Sequence, residues 1–448
     1  MSRRATVVLL LLLLGGPLAA QSPKLEVPYR MFRLDNGLTV ILHRDASVPI
    51  VTVNVWYHVG SANEKPGRTG FAHLFEHLMF EGSKHVKEGE FDTLLEAAGG
   101  NNNGSTTNDR TNYVIDVPSN ALELALFLES DRMGYLLDAM SPERVNGQRD
   151  VVKNERRQSY ENRPYGQASI ELDKMLWPPN HPYSWPTIGY MEDLTAASYE
   201  DVVEFFKKYY APNNASLVVA GDIDLDQAQA LVRKWFGEIP RGQPVEPVAP
   251  PAAMLTTVTK KTITDRVQLP RIYLGWLTPR MFAPGDATLD VASSVIAGGK
   301  NSRLYKRLVY DTQIAQDVEA EQQSGALGSS FLIIATARPG HTAAELTTAI
   351  DEELAKLRRE PPEPREVQRA INEIEASFYR RMQRVGSFYG KADQLNAYYV
   401  AGGGPDFFAE DLARYTSLSP SDVQSAISDW LPPDRRVELT VVPEEGKP

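Results

Sequence analysis

The segment His73-Leu74-Phe75-Glu76-His77 constrains this chain of 448 residues more than any other. On an α-helix, residues i and i+4 lie one turn apart on the same face, so a helix here would let both imidazoles reach one metal ion. The order H-x-x-E-H reverses the H-E-x-x-H pattern of zinc-binding helices. The alternative is a pair of core histidines with ordinary hydrogen bonds. We predict a metal-binding helix.

A catalytic zinc ion takes three protein ligands and keeps one open position, so a third ligand is needed. His58 and His85 lie at strand ends or in loops. Glu155 is the better candidate, because it lies on a predicted helix (142–160) whose Val151-Val152 pair is apolar. The alternative for Glu155 is a solvated helix residue.

Composition narrows the chemistry and the partners. The chain has no cysteine, which excludes disulfides, thiolate catalysis and cysteine-ligated zinc. Its net charge of −11 argues against nucleic acid and anionic membranes as partners, whereas basic or neutral peptides are tolerated. A hydrophobic fraction of 42% with 23% charged residues is typical of globular proteins.

Residues 1–20 have the pattern of a signal peptide. Arg3 and Arg4 precede an apolar run (7–14) that is too short to span a bilayer, and small residues precede the predicted cleavage after Ala20. An uncleaved anchor is the alternative. No later apolar run is long enough to cross a membrane. We therefore expect an exported protein, periplasmic or secreted, without a stable membrane anchor.

Two halves with similar element order are predicted on either side of a Pro/Ala-rich linker at 241–253. We assign 21–240 to an N-terminal metal-binding domain and 254–448 to a metal-free domain that repeats its plan in outline. Predicted strands in the first half are 29–34, 38–43, 50–59, 113–118 and 215–220, and predicted helices are 91–98, 121–137, 142–160 and 194–210. In the second half the predicted strands are 256–264, 271–276, 330–337 and 436–442, and the predicted helices are 286–296, 302–309, 343–359 and 364–384.

The polar segment 101–113 leads into the strand predicted at 113–118. We predict that this strand is a sheet edge, because it has a polar approach and ends in Pro118. An edge strand can bind an extended peptide through main-chain hydrogen bonds. The alternative for 101–113 is a plain polar loop.

With these motifs in place, the chain resembles the pitrilysin/insulinase family of zinc peptidases, in particular its mitochondrial-processing-peptidase-like branch. Residues 70–80 resemble the metal helix of that family, 103–113 its substrate edge, and 150–155 the helix with its third ligand. Further similar segments are 181–183, 186–189, 212–222 and, in the second half, Gly298-Gly299 followed by 302–305. The resemblance covers nearly all of the chain after residue 20.

This resemblance implies an α+β fold with two homologous domains, each a mainly antiparallel β-sheet with helices packed on one face. It implies one Zn²⁺ per chain, held by His73, His77 and Glu155, with Glu76 as the catalytic base. Asn103 and Thr106 fall in the segment that resembles the substrate edge.

The resemblance also implies a partner. Two such chains, as a heterodimer or a homodimer, or one chain of double length, would close around an unfolded peptide. An Arg and a Tyr from the opposite half-shell would approach the scissile carbonyl. Arg271 with Tyr273, and Arg303 with Tyr305, are the candidate pairs in this chain, and the partner chain is the alternative source.

The predicted activity is hydrolysis of extended peptides by a zinc endopeptidase. Asp109, Asp150 and Glu161 are candidates to orient the histidine rings, although each has the alternative of being a surface acid. One rival function is a non-catalytic assembly subunit of the same fold. Another is an exported zinc hydrolase that acts on esters or cell-wall amides.

Overall fold

The computed structural model describes residues 25–444, so the signal peptide predicted at 1–20 lies outside the described residues. The first sheet has six strands in the order β1-β2-β6-β3-β5-β4. Its strands are β1 (Arg30–Arg33), β2 (Thr39–Arg44), β3 (Ile50–Tyr57), β4 (Asn101–Thr106), β5 (Thr111–Pro118) and β6 (Ala215–Gly221). All neighbours pair antiparallel except β2 and β6, which are parallel.

The second sheet repeats this topology with one strand fewer, in the order β7-β11-β8-β10-β9. Its strands are β7 (Thr259–Asp265), β8 (Arg271–Thr278), β9 (Ala315–Gln323), β10 (Ser329–Ala337) and β11 (Val437–Pro443). The single parallel pair, β7 with β11, matches the pair β2 with β6, and the other pairs are antiparallel. The predicted α+β fold with two similar domains is confirmed, and the boundaries at 240 and 254 stay predictions.

Helices cover both sheets. In the first half they are α1 (Phe71–Leu78), α2 (Glu90–Ala97), α3 (Leu122–Tyr135), α4 (Pro142–Arg156), α5 (Gln167–Leu176), α6 (Met191–Ala196), α7 (Tyr199–Tyr209) and α8 (Leu225–Phe236). In the second half they are α9 (Asp286–Ala297), α10 (Ala343–Arg359), α11 (Pro364–Met382), α12 (Lys391–Ala397), α13 (Phe408–Thr416) and α14 (Pro420–Trp430). None in the described range is both long and apolar enough to span a bilayer.

Each sheet is also covered by a helix from the other half. On the second face of the first sheet, Ile41 and Val218 are buried in one core with Ala392 and Leu395 of α12. On the second sheet, α5 packs against β8 and β11. The two halves therefore complete each other's cores, which the prediction of helices on one face did not include.

Two local predictions were wrong, and one predicted helix changes type near its end. The edge strand of the first sheet is β4 rather than the strand at 113–118, because β5 pairs on both sides, with β3 and with β4. The helix predicted at 194–210 is two helices, since Ser198 has extended backbone and caps α7. The helix predicted at 142–160 is α-helical only to Arg156, and Arg157–Glu161 is a π-helical turn.

Candidate metal centre

The helix α1 is held by its apolar face. Phe71, Leu74, Phe75 and Leu78 are at most 2% exposed and join the core of the first half. Burial of such side chains is the main source of helix stability in a folded protein. The remaining face carries the histidines, and the side chains of His73 and His77 are 13% and 25% exposed.

The structure brings the three predicted ligands together. The Oε2 atom of Glu155 on α4 lies 3.7 Å from Nε2 of His73 and 3.4 Å from Nε2 of His77. One ligand atom from each residue lies within 4.8 Å of the others. Within residues 25–444, this is the one cluster of three or more His, Asp or Glu side chains with ligand atoms this close.

These residues fit a zinc ion. Two imidazole nitrogens and one carboxylate oxygen form a known donor set for catalytic zinc, with bonds of about 2.0–2.2 Å that a cluster of this span can accommodate. Burial lowers the pKa of His73 to about 4, which keeps its ring neutral. The neighbouring His77 lowers the pKa of Glu155, which keeps its carboxylate ionised, and Glu155 in turn raises the pKa of His77 against the opposing effect of burial. A metal ion bound there would take the place of the proton on His77. Neutral imidazole and ionised carboxylate are the states that bind metal.

Glu76 lies beside this cluster, against the edge strand β4. The hydroxyl of Thr106 donates a hydrogen bond of 2.7 Å to Oε2 of Glu76. Burial raises the pKa of Glu76, and the bond from Thr106 opposes that effect. A Cβ atom on Gly104 would lie 3.0 Å from Cγ of Glu76, so the strand backbone packs directly on this side chain.

The other predicted residues of this region lie apart from the histidine rings. Asp109 accepts hydrogen bonds from the Tyr183 hydroxyl and the Ala326 amide, and Asp150 is 71% exposed beside Lys153. Glu161 pairs with Arg156, and Asn103 is exposed on β4. In the described part of the chain, none of the three acids makes a hydrogen bond or ion pair with His73 or His77.

Of the two Arg/Tyr pairs, one is committed elsewhere. Arg303 forms ion pairs with Glu366 and Glu353 in the second half. Arg271 lies 3.7 Å from the ring centre of Tyr165, which follows the π-helical turn after Glu155. Tyr273 follows two residues later on the same face of β8 and is 7% exposed.

Sequence reasoning missed three residues that support the site. The buried carboxylate of Glu64 accepts the backbone N–H groups of Gly70 and Ala72, at 2.9 and 2.8 Å, and so caps α1. Arg156 at the end of α4 donates a hydrogen bond to the backbone oxygen of Gly189, which lies against Gly70 at the start of α1. Gly70 has left-handed backbone just before α1. A glycine at that place was a sequence signal for this junction, because glycine adopts such backbone without strain.

A two-domain α+β fold with a His-His-Glu cluster beside a Glu and a sheet edge is the arrangement expected of a metallopeptidase. Residues 39–172 match the family model "Insulinase (Peptidase family M16)", and residues 196–374 match "Peptidase M16 inactive domain". The chain belongs to the peptidase M16, or pitrilysin/insulinase, family, and this confirms the resemblance.

Its relatives agree with this assignment. The zinc protease PqqE of Helicobacter pylori is 33% identical over 361 residues, which cover 78% of this chain and 79% of the relative. The crystal structure of a protease from Helicobacter pylori has a TM-score of 0.86 at 26% identity and covers 94% of this chain and 100% of that one. The periplasmic protease PqqL of Escherichia coli shares the fold, with a TM-score of 0.74 at 18% identity, over 93% of this chain but only 48% of its own.

Proposed function

We propose that this protein is a zinc-dependent endopeptidase that hydrolyses extended or unfolded peptides. The observation that carries the proposal is the convergence of His73, His77 and Glu155 within 4.8 Å, with Glu76 beside them. The name of the relative PqqE, a zinc protease, supports it.

The roles of the side chains follow from their positions. His73, His77 and Glu155 would hold the ion, which supplies Lewis-acid chemistry by lowering the pKa of water and polarising a carbonyl. The carboxylate of Glu76 would accept a proton from the attacking water and deliver it to the leaving amine. The hydrogen bond from Thr106 would keep one oxygen of Glu76 in a fixed orientation.

The strand β4 is the proposed docking place for the peptide. It pairs with β5 on one side and is the last strand of the first sheet, so its other side has no strand partner within residues 25–444. A peptide that added itself as the next strand would be held extended by main-chain hydrogen bonds, largely independent of sequence. Such a peptide would lie next to Glu76, because Gly104 and Thr106 of β4 contact that side chain.

We further propose an exported enzyme that works with a second family chain. The leader predicted at 1–20 supports export, and PqqL is named a periplasmic protease. Two features support the partner. The described part of this chain has one metal cluster for two similar sheets, and this chain spans about half of PqqL. A half-shell would leave a bound peptide open to water on its far side.

Digestion of a peptide library with mass-spectrometric detection tests the activity. We expect cleavage that a chelator abolishes, about one zinc per chain, and loss of at least about 100-fold in kcat for Glu76→Gln with zinc and fold retained. Glu96→Gln, on an exposed position of α2, is the matched control. A zinc-loaded wild-type chain that cleaves no peptide, alone or with a partner, would contradict the endopeptidase and support the non-catalytic subunit or the other zinc hydrolase instead.

A further inference from the structure

We propose that residues 186–193 act as a tie that fixes the distance between the two ligand-bearing helices, α1 and α4, with Arg156 and Gly189 as its positioning residues. The inference rests on the zinc site proposed above. It concerns residues that carry no ligand atom and lie behind the site. Three sets of contacts support it.

The first set joins the end of α4 to the tie. Arg156 directly follows Glu155 and is 7% exposed. Its Nε atom donates a hydrogen bond of 2.9 Å to the backbone oxygen of Gly189, and its Nη1 atom pairs with Glu161. A buried guanidinium with two fixed acceptors is rigid, because its planar fork leaves little freedom. The last turn of α4, which carries Glu155, is thereby fastened to Gly189.

The second set joins the tie to the start of α1. Gly189 and Gly70 both have left-handed backbone, with φ of +81° and +86°. A Cβ atom on Gly189 would lie 2.5 Å from the Cα atom of Gly70, a distance that side chains do not tolerate. The two backbones therefore touch directly. Gly70 is the N-cap of α1, three residues before His73.

The third set fixes the same junction by hydrogen bonds. The amide of Tyr190 donates to Oγ1 of Thr69 at 2.8 Å. The Oδ2 atom of Asp193, which is 8% exposed, accepts from the amide of Thr69 at 3.1 Å and from its hydroxyl at 2.6 Å. Buried groups joined in this way resist displacement, since breaking one bond leaves an unsatisfied partner.

The contacts form one continuous path from Glu155 through Arg156, Gly189 and Gly70 to His73. Metal ligands must be held to within about 0.5 Å by surrounding groups for tight binding. Loss of an outer contact of this kind typically weakens metal binding about 10–100-fold. We expect losses of that size when the path is cut at Arg156 or at Gly189.

The first test compares Arg156→Met with Arg157→Met, its matched control. Arg157 is the next residue, is exposed, and its guanidinium donates a hydrogen bond to the side chain of Asn154. Zinc affinity is measured by competition with a chromophoric chelator, and ligand geometry by the visible spectrum after cobalt substitution. We expect about 10–100-fold weaker zinc binding and a changed cobalt spectrum for Arg156→Met only. Arg156→Lys should recover part of the affinity, because it keeps the charge and one donor.

The second test compares Gly189→Ala with Gly67→Ala. Both glycines have φ of +81°, but a Cβ atom on Gly67 would have nothing within 4 Å. Both variants bear the same backbone strain, and only Gly189→Ala would push against Gly70. Weaker zinc binding in Gly189→Ala alone supports the tie. Equal losses in both variants would show that strain, not contact, is responsible. If Gly189→Ala does not fold, the comparison of Arg156→Met with Arg157→Met decides whether the tie exists.

The outcomes separate this inference from the proposed function. A wild-type chain that binds neither zinc nor cobalt at this cluster contradicts the proposed function itself. A wild-type chain that binds zinc, with Arg156→Met equal to it in affinity and cobalt spectrum, contradicts only the tie.

Discussion

At the scale of single residues, the three proposed zinc ligands differ in exposure. The side chains of His73 and His77 are 13% and 25% exposed, whereas that of Glu155 is 42% exposed. The histidines are held by packing of α1 in the core. Glu155 depends more on the position of its helix end, which makes it the ligand most sensitive to changes in its surroundings.

Glu155→Ala should abolish tight zinc binding, because two ligands are too few for a stable site. Glu161→Ala should weaken binding less, by about 10–100-fold at most, since Glu161 contacts Arg156 and no proposed ligand. Calorimetric zinc titration of both variants checks this. Equal or reversed effects would make Glu161 the third ligand.

Thr106→Val should lower kcat about 10–100-fold with zinc retained, because a hydrogen bond to a charged group contributes about 1.5–3 kcal/mol. That bond, 2.7 Å long, holds the proposed base Glu76. Thr106→Ser keeps the hydroxyl and should retain most of the activity. Thr256→Val, at an exposed position ahead of β7 in the second half, is the control. Steady-state kinetics on one peptide would contradict the role if Thr106→Val changed only KM.

At the scale of elements, the sequence predicted best what local pattern decides. Asn36-Gly37 predicted the hairpin of β1 and β2, and the backbone of Gly37 has φ of +96° there. The spacing of His73 and His77 predicted α1. Both features depend on neighbours within a few residues, and such signals are fully present in the sequence.

Strands without an apolar pattern, and contacts between residues far apart in the sequence, were missed. β9 (Ala315–Gln323) is rich in Asp, Glu and Gln and is a strand because it pairs with β10 at the sheet edge. β4 is almost wholly polar, and it too is a strand because it pairs with its neighbour, β5. The contact of Arg156 with Gly189 joins residues 33 positions apart, and no local pattern marks it.

Contacts between α9 and α13 should make the free energy of unfolding depend on pH. Burial raises the pKa of Asp290 on α9 to about 7. The negative charges of Asp286 and Asp411 also raise this pKa, whereas a hydrogen bond from the Tyr415 hydroxyl and the charge of Arg414 lower it. The folded state therefore keeps a proton that the unfolded chain loses near pH 4. Stability from this group is fully present below pH 4 and is lost as pH rises to 7, by up to about 1.4 kcal/mol per pH unit.

Asp290→Asn should remove this dependence, because the amide keeps the acceptor for Tyr415 and cannot ionise. Urea unfolding at a series of pH values from 4 to 8 measures it. Asp429→Asn, on an exposed position of α14, is the control and should follow the wild type. A variant whose pH slope equals that of the wild type would show that Asp290 is ionised in the folded protein.

At the scale of the whole molecule, the two halves are joined by more than the linker. Asp393 of α12, 4% exposed, accepts hydrogen bonds from Trp56 and Asn112 of the first sheet, both at 2.8 Å. Asp109 accepts the amide of Ala326 from the second half. Since the halves are fastened on both sides, we expect closure around a peptide to come from another chain, as proposed above.

Specific activity should therefore fall on dilution of the purified chain, if it pairs with itself, or rise on addition of a second family chain. Closure would exclude water and bring further donors to the scissile carbonyl. Native mass and peptide turnover over one dilution series check this. Full activity that persists where only monomer remains would contradict the need for a partner.

The crossed helices also bear on how the protein is made. A ribosome completes β1 to β6 long before it reaches α12, and β7 to β10 lie between. Until then the first sheet keeps Ile41, Val218 and Ala220 without the cover that α12 provides. A nascent domain with exposed apolar surface of this kind is incompletely folded and prone to aggregation. A partly made chain thus carries all of the proposed zinc ligands yet lacks the finished domain that would hold them.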